Sequence, residues 1–447
     1  MGSERSAAAR LLDDVGTAVT RDFAKNRSLL SFEEYLQLFL ASPRLQARNA
    51  AQYLQSAIDS FGSDQVSHPS GTIRRFRIFD GFGVDEPRVA GQEEVQNSLY
   101  RLIGNFVRAG RINKLILLHG PNGSAKSTLV DALKRGLERY SSSDDGALYT
   151  FNWLFPNEKL VKGSIGFGER GDGGGSVTSF AHLEAEDIAV RLANPIREHP
   201  LFLMPRPERR ALLKRVFAAH PDFIVPSYLL DGELSAQSRR IHDALLASHG
   251  GDWLKVLRYV QVERFYVSRR YQVGTFTVEP QMSVDASAHQ VTADRTQANL
   301  PPALHAVVLF EPQGPLVSAN RGLIEYADLL KRPLEAFKYL LGFSETQEVP
   351  LEQMILQLDE VLIASSNEKH LMAFKELPDF ASFKGRIELV RVPYLRRWKV
   401  EKEIYDAQVT ERTVGRHVAP HATELAALWA VLTRLKKPLP DRYPAEA

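Results

Sequence analysis

The sequence predicts an α/β fold: a core with a central, mostly parallel sheet, preceded by an N-terminal helical region and followed by a small C-terminal helical segment. Three observations predict it. From about residue 73 to 400, short apolar runs (Leu115 to Leu118, Ala306 to Phe310, Val361 to Ala364, Ile387 to Val390) alternate with longer segments of helical periodicity. One of those runs passes through a glycine-rich turn directly into a helix. Both ends of the chain carry helical spacing without such runs. At roughly 150 residues per domain, the 447 residues allow about three units. The boundaries are expected at 1–70, 71–398 and 399–447.

The N-terminal region, to about residue 65, reads as helical. Ser31-Phe32-Glu33-Glu34 is a capping box, with Phe32, Tyr35, Leu36, Phe39 and Leu40 behind it at helical spacing. Ser42-Pro43 starts a second helix, Ser as N-cap and Pro at the first position. Gln65 to Thr72 reads as a polar linker and marks the first boundary. Gly163 to Ser176 reads as a loop with nothing to bury. Its Gly166-x-Gly168-x-x-Gly171 spacing is followed by more glycines instead of a helix or strand, which argues against a dinucleotide turn. At the far end, His421 to Leu435 is amphipathic through Leu425, Leu428, Trp429, Leu432 and Leu435, and Pro438 and Pro440 stop it.

Composition narrows the function classes. A hydrophobic fraction of 44% supports a sizeable core, and a net charge of +2 gives no global electrostatic footprint for nucleic acid. The absence of cysteine excludes disulfides, thiolate zinc sites and a cysteine nucleophile. No run approaches the roughly 18 apolar residues of a membrane span. MGSERSAAARLLDD lacks the layout of a signal peptide, so a cytoplasmic location is the default expectation.

The chemistry begins at the strand run Lys114 to Leu118. Gly120-Pro121-Asn122-Gly123-Ser124-Ala125-Lys126-Ser127 follows it, and from Thr128 the helical spacing continues through Leu129, Leu133 and Leu137. Strand, glycine loop, Lys-Ser and helix together are the P-loop arrangement. Backbone N–H groups and the positive end of the helix surround an anionic phosphate chain. Lys126 places a point charge on the terminal phosphates, and the Ser127 hydroxyl is a hard oxygen ligand for Mg²⁺. The expected ligand is therefore Mg·ATP. Ala125 departs from the usual glycine before the lysine but is small enough for close approach.

Hydrolysis also needs carboxylates near the metal and the attacking water. Leu316 to Lys331 reads as an apolar strand ending in acids, with Glu325 and Asp328 as candidates for metal and water and their roles interchangeable at this stage. Asp359 and Glu360 precede the strand Val361 to Ala364 and read as solvated. Asn367 lies at that strand's end, where an amide orients water near a γ-phosphate or, alternatively, caps the next helix. His199, His220, His289 and His305 are scattered, and RPERRALLKR (206–215) reads as the wet face of a helix.

At these residues the chain resembles the bacterial PrkA family, the so-called serine protein kinases, in its AAA+ module. The matching stretches are ANRGLIEYADLLKRPLEAFKYLL, IASSNE and FKGRIELVRVPYLRRWKVEKEIYD. SFEEYLQLFLASP and VAGQEEVQNSL match upstream, and HVAPHATELAALWAVLTRLKKP matches downstream. The resemblance implies a P-loop AAA+ core and a helical lid at 399–447. It places Asn367 at the polar sensor position and makes Arg386 an arginine finger reaching a neighbour's γ-phosphate. It also makes Arg434 a sensor arginine of the lid. It implies a homo-oligomeric ring, a protein substrate or regulatory partner, and ATP turnover. Kinase activity in that family is attributed to a region beyond the module, and this sequence contains neither a His-Arg-Asp loop nor an Asp-Phe-Gly. Three functions remain open: an ATPase acting on a protein partner, a serine protein kinase, and a nucleotide-regulated scaffold.

Overall fold

The computed structural model describes residues 12–13, 15–17, 29–68, 71–83, 86–157, 179–281, 286–290, 304 and 308–435. The glycine-rich segment Gly163 to Ser176 lies outside them. In chain order, β1 (Leu29–Leu30) leads into helices α1 (Phe32–Ala41) and α2 (Ala50–Phe61), with a single turn, Pro43–Gln46, between them. A hairpin of β2 (Ser63–His68) and β3 (Gly71–Phe76) precedes α3 (Glu93–Ala109), β4 (Leu115–His119) and α4 (Lys126–Ser141). Next come β5 (Leu148–Pro156), β6 (Ile188–Leu192), α5 (Arg206–Phe217), α6 (Ala236–Ser248) and β7 (Val260–Phe265). Strands β8 (Thr275–Val278), β9 (Ser287–Gln290), β10 (Phe310–Gln313) and β11 (Gly322–Tyr326) lead to α7 (Tyr339–Thr346). After β12 (Glu348–Pro350), β13 (Ile355–Gln357), β14 (Glu360–Ser366), α8 (Glu368–Lys375) and β15 (Ile387–Arg391), the described chain closes with α9 (Trp398–Gln408) and α10 (Ala422–Arg434).

The predicted α/β core is present. Its sheet has the order β15-β4-β14-β11-β8, and every adjacent pair is parallel. Strands covered on both faces must be apolar on both faces, which is why β4 and β14 read as unbroken runs. Ile116, Leu118, Leu323, Val361 and Ile363 face a core shared with α2, α3 and α4. Leu115, Leu117, Ile324, Tyr326, Leu362 and Ala364 face the opposite core, with α7 and α8. A second sheet, order β1-β7-β5-β6, is antiparallel and covers a third core with α1, α5 and α6. No helix among the described residues is long and apolar enough to cross a membrane.

Several expectations are corrected. The Ser31 capping box forms as read, with Glu34 N–H donating to Ser31 Oγ at 3.2 Å and Ser31 N–H to Glu34 Oε2 at 2.6 Å. Gln65 to Thr72 is not a linker. Most of it is the body of the β2–β3 hairpin, whose alternating half-buried positions were masked by polar composition. Of the run Ala306 to Phe310, residues 306–307 lie outside the described residues, and Phe310 opens a strand paired antiparallel with β9, off the main sheet. Asp359 and Glu360 are not solvated but 2% and 0% exposed. They lie under the start of α2, where Ala50 N–H donates to Asp359 Oδ2 at 2.8 Å. Burial pushes the Asp359 carboxyl up to about 7 and that of Glu360 well above the carboxylate range. In α10, Ala427 and Val431 are the buried residues, while Leu425, Trp429 and Leu432 stay exposed.

Candidate functional site

In open α/β sheets, ligands sit beyond the carboxyl ends of the strands where the strand order reverses. Here β4 lies between β14 and β15, which come much later in the chain, so the loop after His119 opens at that point. Gly120 to Ala125 form this loop, and Lys126 is the first residue of α4. Gly120 N–H donates to Ser366 O at 3.3 Å, tying the loop to the end of β14. A Cβ on Gly120 would overlap the Val392 carbonyl, so nothing larger than glycine fits there. Gly123 (φ 75°) and Ala125 (φ 70°) both turn through the left-handed region. Ser124 Oγ closes the turn on Pro121 O at 2.9 Å, and Asn122 is exposed at its tip.

Ala125 is the strained member of the set, because its Cβ crowds the backbone where glycine would not. Ala125→Gly is expected to stabilise the fold by about 1 kcal/mol, the left-handed penalty partly offset by glycine's extra chain entropy. The urea midpoint checks this.

Lys126 is 8% exposed, and its Nζ donates to Gly120 O at 3.0 Å and Pro121 O at 2.8 Å. The ammonium is thus folded over the loop it serves. Desolvation pulls its pKa down, and the facing carboxylates of Asp328 and Glu368 oppose that. Ser127 is exposed beside it, Thr128 half-buried. Gln92 reaches in from the start of α3, donating from Nε2 to Ser124 O at 3.3 Å and Pro393 O at 2.8 Å.

The two expected carboxylates separate. Leu316 to Lys331 is not one strand: Pro315–Ala319 is helical, and the strand begins at Gly322. Glu325 therefore lies inside β11, level with Ile363 and Ile116 and well short of the loop. Alternation puts it on the same face as Leu323, toward α4. There it forms a buried ion pair with Lys134 and accepts from Thr277 Oγ1 at 3.2 Å. Its expected place in a metal shell is corrected accordingly. Asp328 lies beyond the strand's carboxyl end, in a left-handed turn (φ 44°). Its N–H donates to Ser365 Oγ at 3.0 Å, and Lys331 Nζ donates to its Oδ2 at 2.5 Å.

Asn367 follows β14, and its Oδ1 caps α8 by accepting from His370 N–H at 2.9 Å. The helix-cap reading is therefore realised. Arg386 is not near the loop of its own chain. It lies at the amino end of β15, where its carbonyl accepts from Leu115 N–H and its guanidinium pairs with Glu345 at 2.6 Å. Arg434 is not solvated: it forms a two-pronged pair with Glu401, both contacts at 2.8 Å, over the Tyr394 ring. That pair joins α10 to α9.

Two residues were missed. His119 directly precedes Gly120, and Glu368 directly follows Asn367; His119 Nδ1 lies 3.0 Å from Glu368 Oε2. Only the parallel register, Ser366 against His119, brings them together. As for Mg²⁺, no cluster of three His, Asp or Glu ligands exists among the described residues. Ser127 and Asp328 offer hard oxygens, which fits an ion that takes one or two protein ligands and completes its shell with phosphate and water.

The PrkA AAA domain family matches residues 171–441. The chain is 25% identical over 420 residues to the ATP-dependent protease PrkA of Bacillus subtilis (strain 168), covering 91% of this chain and 55% of that one. It is 24% identical over 285 residues to the serine/threonine kinase YeaG of Escherichia coli (strain K12), covering 59% and 41%. The chain thus spans about half the length of these curated relatives. Among solved structures, NtrX from Brucella abortus in complex with ATP is 12% identical, with a TM-score of 0.29 over 77% of this chain and 49% of that one.

Proposed function

The chain belongs to the PrkA AAA domain family, an AAA-type ATP-binding module, and from that premise we propose that it hydrolyses ATP to drive or regulate action on a protein partner. Gly120 to Thr128 hold the phosphates, and Ser127 and Asp328 hold Mg²⁺, which neutralises phosphate charge when bound. Lys126 neutralises the terminal phosphates, and the Asn367 amide orients the attacking water or a phosphate oxygen. The observation that carries this reading is the gathering of Lys126, Asp328 and Asn367 at the carboxyl edge of β4, β11 and β14.

Arg386 stands at the other end of the sheet and has no path to its own loop. In this reading it serves the γ-phosphate of a neighbouring copy in a ring, exchanging Glu345 for phosphate. Arg434, through Glu401, holds the two lid helices together and reports nucleotide state to them. A cytoplasmic ring of like chains is part of the same proposal.

Incubation with γ-labelled ATP tests the reaction class. The expected result is free labelled phosphate. Label on protein serine would establish the kinase reading that the name of the Escherichia coli relative describes, and neither product would leave a scaffold.

A further inference from the structure

We propose that Glu368, held by His119, is the carboxylate that orients the attacking water and accepts its proton, leaving Asp328 to the metal shell. This rests on the ATPase reading above. Hydrolysis asks for two separate carboxylate roles, and β11 supplies only one acid at its carboxyl end. Glu325 is committed to Lys134 inside the sheet, and position 327 is alanine.

The second acid comes from the neighbouring strand. Ser366 is level with His119, and Gly120 N–H bonds Ser366 O, so the first residue of α8 lies beside the start of the loop. His119 contacts Glu368 through Oε2 alone, which leaves Oε1 for water. The Glu368 side chain is 37% exposed whereas that of Glu325 is 6% exposed, so only the former is open to water. The charge of Glu368 is also felt at Lys126, the residue assigned to the terminal phosphates, where it opposes the downward pull of desolvation.

The His119 contact holds the Glu368 carboxyl below the usual range, with Arg391 and Lys375 adding weaker attraction and burial opposing. It is therefore an anion at neutral pH. A weak base suffices, because phosphoryl transfer is loose and depends on positioning more than on early proton removal. The water oxygen forms the new bond to the γ-phosphorus as the bridging β–γ P–O bond breaks. The electron pair leaves on the β-phosphate oxygen of ADP. The water proton passes to Glu368 and on to solvent.

The test is Glu368→Gln in the full chain, which keeps size and the acceptor toward His119. Affinity for a fluorescent ATP analogue is expected to stay within about threefold of the parent, while single-turnover phosphate release falls roughly 100-fold, the scale of a lost general base. Nucleotide extracted from the saturated variant should be ATP, and the urea midpoint should be unchanged. Release near the parent rate would overturn the proposal. Loss of ATP binding would also overturn it, by assigning Glu368 to the phosphate cradle. His119→Ala should lower kcat without raising KM, and a rise in KM alone would remove its positioning role. A parent chain that binds ATP but releases no phosphate would refute the ATPase reading itself, a result distinct from a silent variant of an active parent.

Discussion

Lys126→Ala is expected to cost ATP affinity on the order of 100-fold, about 2.7 kcal/mol, and to remove measurable turnover. The magnitude follows from what the ammonium does. It is buried beside the loop, desolvated, and countered by Asp328 and Glu368. A charge already stripped of water interacts with phosphate far more strongly than one at the surface. Its removal also takes one donor from each of the Gly120 and Pro121 carbonyls, of which Pro121 O keeps Ser124 Oγ. Titration with a fluorescent ATP analogue reads the affinity, and circular dichroism confirms that the fold persists. Affinity and rate that both survive the substitution would eliminate the phosphate site.

The second large effect is on stability. Glu325→Ala is expected to destabilise the fold by about 3–5 kcal/mol, because it strands the Lys134 ammonium inside the core without a counter-charge. Glu325 and Lys134 are 4% and 5% exposed, and the pair bridges the penultimate residue of β11 to the middle of α4. Replacing both, as Glu325→Leu with Lys134→Met, should recover most of the loss, since an apolar pair of similar volume avoids the desolvation of two charges. Urea unfolding of the two single variants and the double variant measures this coupling directly. The opposite pattern, unchanged stability with lost turnover in Glu325→Ala, would return Glu325 to the chemistry.

The contrast between Glu325 and Lys126 shows which information was local. Strand, loop and helix from Leu115 to Ser141 are contiguous, and each is encoded by its own spacing, so this strand–loop–helix unit was legible. So was β14, a run too apolar to lie anywhere but inside the sheet. Glu325 was misread because its partner lies 191 residues away in the chain. Nothing near Glu325 says that the preceding segment breaks into a helical turn and a strand, which keeps the acid within the sheet, level with Ile116, instead of beyond its edge. Asp359 and Glu360 failed for the same reason: charged residues before a strand look solvated until α2, some 309 residues distant, closes over them. The His119–Glu368 pair needed strand order, which periodicity does not carry. The hairpin after α2 was lost to composition, since its polar residues resemble those of a loop.

Gly120 has an implication for how relatives of this chain are compared. Its lack of a side chain is demanded by the Val392 carbonyl, a packing requirement that exists whether or not a nucleotide ever arrives. A descendant that had abandoned ATP would still be held to glycine at this position by its own folding. The exposed hydroxyl of Ser127 answers to no such demand. Across a lineage, drift at position 127 beside a fixed Gly120 would therefore mark a retired site, and a constant Ser127 a working one.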